Sequence, residues 1–263
     1  MSRLAAFSGP GRWLSEMVRK NYYLAAISVE CLFSAFRSKS WAQPVRQRLV
    51  RQILFGGVEA IPFTVFSGAI FGVVLAINSF KWLEFTGRID FLGPALSLLL
   101  IREAAPFFSS VIIIAASASA ITTEMATMRV KGEIDLIESQ GINLIQFLVM
   151  PRAVGLAIAG VGLATSFVAS AFLASAVGIA WIGSIPPGPF FDSIFSSLGL
   201  ADFVNLIGRS AITAFLMGGI CCFEGLSVRG SSTVVPQAVT RGMLRSIAAT
   251  LVISAIFGIL TYM

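Results

Sequence analysis

The sequence predicts an all-α integral membrane protein with N-terminal interfacial helices, five transmembrane helices and one short cytoplasmic helix between spans 2 and 3. Three observations predict it. Of 263 residues, 56% are hydrophobic and 12% charged, where a soluble domain carries about 25% charged residues. The charges are bunched, so that Leu148 to Ala201 contains only Arg152 and Asp192. The cations also fall on one side of the expected membrane, as counted below.

Residues 1–53 are basic and mixed. They hold nine Lys/Arg, interleaved with Trp13, Leu14, Met17, Tyr22, Tyr23, Leu24, Ile27, Leu32, Phe33 and Phe36. Apolar residues at three- and four-residue steps beside cations predict helices lying in a membrane interface. A soluble basic arm would carry fewer aromatics. The Met1–Pro10 start lacks the long apolar core of a cleavable signal.

Five apolar blocks follow, at about 53–77, 91–121, 153–182, 203–223 and 247–262. A span needs about 20 residues. The third block, thirty residues long, is long for one span and short for two. Charge decides between these. With five spans and the N-terminus inside, fifteen Lys/Arg lie on the inner side, and only Lys81 and Arg88 lie outside. This is the positive-inside pattern. Splitting the block would send Arg229, Arg241 and Arg245 outside, so it is read as one long or tilted helix, with the C-terminus periplasmic. The outer segment Gly183–Asp202 is rich in Pro and Gly and reads as a loop. Gly68 and Gly72 have the spacing that lets helices approach closely, although ordinary packing explains the pair as well.

The chemistry of a catalyst is missing. The chain has no histidine, no GxxxxGK[ST], no GxSxG and no HExxH. Cys31, Cys221 and Cys222 read as small buried apolar residues. No metal, cofactor or nucleic acid is expected, and no enzyme intrinsic to the chain. The informative loop is "ITTEMATMRVKGEIDLIESQGINLIQFLVMPRAVG", Ile121 to Gly155. Thr122 or Thr123 can cap a helix that Gly141 ends, and Pro151-Arg152 starts the next span. Met125, Met128, Ile134 and Ile137 give the helix an apolar side. It is either a solvated connector or a docking helix for a soluble partner.

A charged pair, Arg102-Glu103, sits inside the second block. Counted from Phe91 it lies about 15–18 Å along the helix, near mid-membrane. Ions there need partners or water, and consecutive side chains diverge by about 100°. Pro106 can kink the helix and free a carbonyl. Either the pair is structural, bound to neighbouring helices and involving Glu59 or Arg209, or at least one charge borders a wet cavity.

Four stretches carry a family resemblance. "SLLLIREAAP" (97–106) resembles "LLRELGP", and "SAITTEMATMRVKGEIDLIESQGI" (119–142) resembles "SAxxAELGxMRVTEQIDALxxMGxDP". "MPR" (150–152) resembles "PR" at the next span, and "VVPQAVTRGM" (234–243) resembles "VPxATTRAV". These are motifs of the MlaE/YrbE family, the permease subunits of bacterial ABC transporters that move phospholipids or related lipids with MCE-domain proteins. The matches span roughly residues 45–262, so the chain divides into an interfacial part (1–53) and a permease domain (54–263). Departures are "AASASA" at 115–120 for "GRxGSA", Glu133 for Gln, and Asn143-Leu144 for Asp-Pro. These departures do not disturb the hydropathy pattern.

The resemblance implies a homodimeric or closely paired permease in a bacterial inner membrane, with an ATPase subunit below and an MCE-domain protein outside. It implies that the loop helix is a coupling helix, with Glu124, Met128, Arg129, Glu133 and Glu138 meeting the ATPase. ATP hydrolysis then belongs to that separate subunit. The region of Arg102 and Glu103 lies beside a lipid cavity in similar permeases. Glu103 is therefore expected to border the cavity and Arg102 to anchor the helix or meet phosphate. Leu75, Trp82 and Leu83 are expected to offer apolar surface to acyl chains. The competing class is a stand-alone secondary transporter or channel, which calls for ionisable residues in several helices. Here only Glu59, Arg102, Glu103 and Arg209 stand as candidates.

Overall fold

The structure is a computed structural model that describes residues 24, 28–35, 43–85, 87, 91–182 and 187–262. The interfacial reading of Trp13 to Tyr23, and Arg88 of the outer side, lie outside the described residues. The described residues hold helices and no strand. Helix α1 (Gln43–Gly56) leads through a tight turn at Val58–Ala60 into α2 (Ile61–Phe85). Then come α3 (Leu92–Val130), the short α4 (Glu133–Ser139), α5 (Ile145–Trp181) and α6 (Pro187–Ser197). Helices α7 (Leu200–Leu226) and α8 (Val235–Tyr262) complete the chain.

Five helical runs are long and apolar enough to cross a membrane: 43–85, α3, α5, α7 and the run from Ser232 that contains α8. The third apolar block is one helix, as its charge balance requires. The crossing helices alternate in direction. One end of the bundle, here the Gly132 end, gathers Gly56, Val130, Ile145 and Leu226. The other, the Gly87 end, gathers Phe85, Leu92, Trp181 and Leu200.

Helix α5 is the centre, packing most extensively on α2 and next on α7. Small residues make this possible. An added Cβ on Gly72 would fall on the Ala171 carbonyl oxygen and 2.7 Å from Ala171 Cα. One on Gly68 would lie 2.8 Å from the Phe167 carbonyl oxygen. Ser175 Oγ donates to the Gly72 carbonyl at 2.9 Å across the same crossing. The Gly68/Gly72 spacing is thus the contact seam of α2 on α5. At mid-bundle, Phe108 stacks on Phe167 with ring centres 5.5 Å apart, beside buried Leu100, Ile101 and Leu206. By contrast, α2 turns a stripe of Phe63, Phe66, Ile70, Val74 and Trp82 outward, and α8 does the same with Leu251, Ile256 and Ile259. Large apolar groups exposed on crossing helices belong against lipid or another protein chain.

Four expectations are corrected here. The loop helix is not continuous from Thr122 to Gln140: α3 runs on to Val130, and the chain turns at Gly132, whose φ of 75° suits glycine. Thr122 is no cap, because it is buried inside α3 and its Oγ1 donates to the Cys221 carbonyl at 3.3 Å. The next helix starts at Ile145, not at Pro151, because Asn143 Oδ1 accepts from the Ile145 backbone N–H at 2.9 Å. Within the outer loop, Pro187–Ser197 is helical, with Phe190 and Ile194 buried against Leu92 and Leu96.

Candidate functional site

The charged pair in α3 is built by its own helix. Residues Leu98–Ala104 form a wide π-helical stretch, followed directly by Pro106 at the start of the next α-helical turn. Proline has no N–H, so the carbonyl four residues back, that of Arg102, loses its usual helical donor. Arg209 of α7 supplies the replacement: Nη1 donates to the Arg102 carbonyl at 2.5 Å. Its Nη2 donates to Glu103 Oε2 at 3.0 Å. The Arg102 side chain diverges from that of Glu103 and donates through Nε to Asp202 Oδ1 at 2.5 Å. Asp202 is fixed in turn because its other oxygen accepts from the Gly199 N–H at 3.0 Å, at the start of α7.

The result is a ladder of two cross-helix ion pairs. Arg209 is 2% exposed, while the Glu103 side chain keeps 41% of its surface. Glu103 faces α8 at Gly258, where an added Cβ would stand 4.0 Å from Oε1. Two buried donors in the ladder's helix, Arg209 Nε and Asn205 Nδ2, have no acceptor within the described residues. An anionic or carbonyl oxygen brought to this site would find donors already desolvated and oriented.

The expected site residues separate into groups. Arg102, Glu103 and Arg209 come together, while Glu59 lies at the other end of the bundle and is no partner of theirs. Leu75 and Leu83 are half-buried within the bundle cores, and Trp82 faces outward. Asp202 was missed by sequence reasoning, which left it at the end of a loop. The Gly199-to-Asp202 spacing before an apolar run was its available signal.

At the Gly132 end, Arg152 is buried and holds Glu124 Oε1 at 2.7 Å, while Nη1 donates to the Leu148 carbonyl at 3.0 Å. This pins the end of α3 to the start of α5. Buried Glu224 of α7 accepts from Arg245 and lies 3.5 Å from Arg241, pinning α7 to α8. Arg129 reaches Asp135 at 2.6 Å, so the α3–α4 turn is braced by a partly exposed pair. Of the expected coupling residues, Glu124, Met128 and Glu133 line one cavity, whereas Arg129 sits in the brace and Glu138 is exposed on α4.

Five crossing helices, apolar outer stripes and ion pairs that pin one crossing helix to the next define a multi-pass helical membrane protein. Residues 49–260 match the family model described as Permease MlaE, and the chain belongs to the MlaE permease family. It is similar to the intermembrane phospholipid transport system permease protein MlaE of Haemophilus influenzae, 26% identical over 88% of this chain and 87% of that one. It is also similar to a probable ABC transporter permease protein of Synechocystis, 27% identical over 78% of each chain. A third relative, from Pyropia yezoensis, is likewise described as a probable ABC transporter permease protein, at 25% identity over 74% of each. Membership makes the chain a transmembrane permease subunit of the ABC class, which implies an ATPase partner.

Proposed function

We propose that this permease moves phospholipid or a related lipid between a bacterial inner membrane and a periplasmic MCE-domain protein. It does so as one of two paired permease copies above an ATPase. The observation that carries the reading is the ladder, which runs inward from the Gly87 end of α7. A half-exposed carboxylate at Glu103 stands beside desolvated donors without acceptors, between helices whose outer stripes are apolar. A polar headgroup with acyl chains needs that combination. In this reading Glu103 borders the lipid cavity, and Arg102, held by Asp202, anchors the helix. Trp82 offers apolar surface directly, whereas Leu75 and Leu83 shape the wall from within.

The Gly132 end faces the cytoplasm in this proposal. Helix α4 and the last two turns of α3 meet the ATPase through Glu124, Met128, Arg129, Glu133 and Glu138. The pins of Arg152 and Glu224 then pass its motion to α5 and α8. The H. influenzae relative's name supports the lipid cargo.

Photocrosslinking tests the reading. A photoreactive residue at position 103 or 82 is expected to capture co-purifying lipid, and one at Val168 to capture less. Glu103→Ala is expected to lower lipid transport by the reconstituted complex. Equal capture at all three positions, or full transport by Glu103→Ala, would return the ladder to a purely structural role.

A further inference from the structure

A polar cavity lies at the Gly132 end, far along α3 from the ladder. It has a volume of about 700 Å³ and lies between α1, the end of α3 and the start of α5. Four cations line it, Arg48, Arg51, Lys131 and Arg152, against three carboxylates, Glu59, Glu124 and Glu133. Glu124 is committed to Arg152. Arg48 is within electrostatic reach of both and leans on the Phe147 ring, 4.1 Å from its centre.

Two donors in the cavity wall have no acceptor: Arg48 Nη1 and the hydroxyl of Ser117, a residue 2% exposed. Buried donors are rarely left so, because the desolvation of a donor with no acceptor goes uncompensated. The skirt beside the cavity is apolar and outward-facing, with Leu54, Phe55 and Val58 about half exposed. A positive excess, orphan donors and an adjoining apolar skirt are the recognition elements of a phosphate group at a membrane surface.

We propose that this cavity binds a phosphate group, carried by a lipid headgroup or free in solution, with Arg48 and Ser117 as its donors. Arg48 provides the fixed charge, with Arg51 and Lys131 around the opening. The inference rests on the membrane setting of the chain and not on what is transported, so it stands or falls apart from the Glu103 reading.

The test uses the purified permease complex reconstituted in nanodiscs of phosphatidylethanolamine and phosphatidylglycerol. Native mass spectrometry after release counts the lipids retained per permease copy. Wild type is expected to retain one more lipid per permease copy than an Arg48→Gln, Ser117→Ala double variant, whatever is bound beside Glu103. A second arm measures the melting temperature of delipidated protein in millimolar inorganic phosphate. Lipid loss without a phosphate response identifies a headgroup as the source. A phosphate-induced rise in wild type alone, with equal lipid counts, identifies the free ion. The absence of both differences would overturn the proposal. Glu124→Gln guards against a double variant that does not fold, because it removes a competing carboxylate and frees Arg152. It is expected to hold the lipid, or respond to phosphate, more strongly than wild type, and an unchanged or weaker response would count against the site.

Discussion

Arg209→Met is the sharpest probe of the ladder. Arg209 is 2% exposed and makes two hydrogen bonds, one to the Arg102 carbonyl and one to Glu103. Methionine fills similar volume, so the loss is polar rather than a cavity. The Arg102 carbonyl is left without a donor, because Pro106 cannot supply one; an orphaned buried acceptor costs about 1–3 kcal/mol. The Glu103 carboxylate loses its ion pair, but its side chain is 41% exposed, so that loss is discounted to about 1 kcal/mol. The sum is a destabilisation of about 2–4 kcal/mol. Reversible unfolding of the purified protein in bicelles measures it. Adding Glu103→Leu removes the orphaned carboxylate and is expected to recover about 1 kcal/mol. Arg209→Lys keeps the charge but cannot fork to both acceptors, and is expected to fall between wild type and methionine. A loss under about 0.5 kcal/mol for Arg209→Met, or a double variant no more stable than the single, would show that the ladder does not hold α3 to α7.

Three further outcomes are expected. Gly72→Ala pushes a methyl into the Ala171 backbone and is expected to cost about 1–3 kcal/mol in the same assay, whereas Gly162→Ala, with nothing within 4 Å of its added Cβ, is expected to be neutral or stabilising. Cysteine labelling from outside is expected to reach positions near Ser193 and after Met263 and to miss one at Lys131; labelling at Lys131 would invert the proposed orientation. A Met128→Ala, Glu138→Lys variant is expected to insert normally but to lose co-purification with its ATPase, and full ATPase activity in that complex would reduce α4 to a connector.

How much of this was legible in the sequence depended on whether a partner was local. The five spans and the single long α5 followed from where charges were bunched. The freed carbonyl of Arg102 was legible too, because Pro106 lies four residues away on the same helix. The choice of Arg209 over Glu59 was not, since both are far off in sequence and only packing decides. Asp202 lies 100 residues from Arg102, and nothing in the sequence between them signals the pair. The break at Gly132 was hidden by periodicity. The apolar steps from Met125 and Met128 to Ile134 and Ile137 run through it as if the helix were whole, and a left-handed glycine leaves no apolar trace. Helix α6 was hidden by its flanking Pro and Gly, which read as loop although Phe190 and Ile194 are spaced to face one side.

The π-helical stretches of α3, at Leu98–Ala104 and Ile114–Ala118, carry a consequence for how such a chain tolerates change in length. Each wide turn holds one residue more than the α-helical turn it replaces. The face that presents Leu96 to α6, the face that presents Glu103 to α7 and the face that presents Met125 to Gly225 are therefore clocked separately. A residue removed from a regular part of the span would rotate everything beyond it by about 100° and misdirect every later contact. One removed from within a wide turn restores an ordinary turn and leaves both flanks pointing as before. These two stretches are the expansion joints of the span, where a deletion is absorbed without unseating the helices on either side.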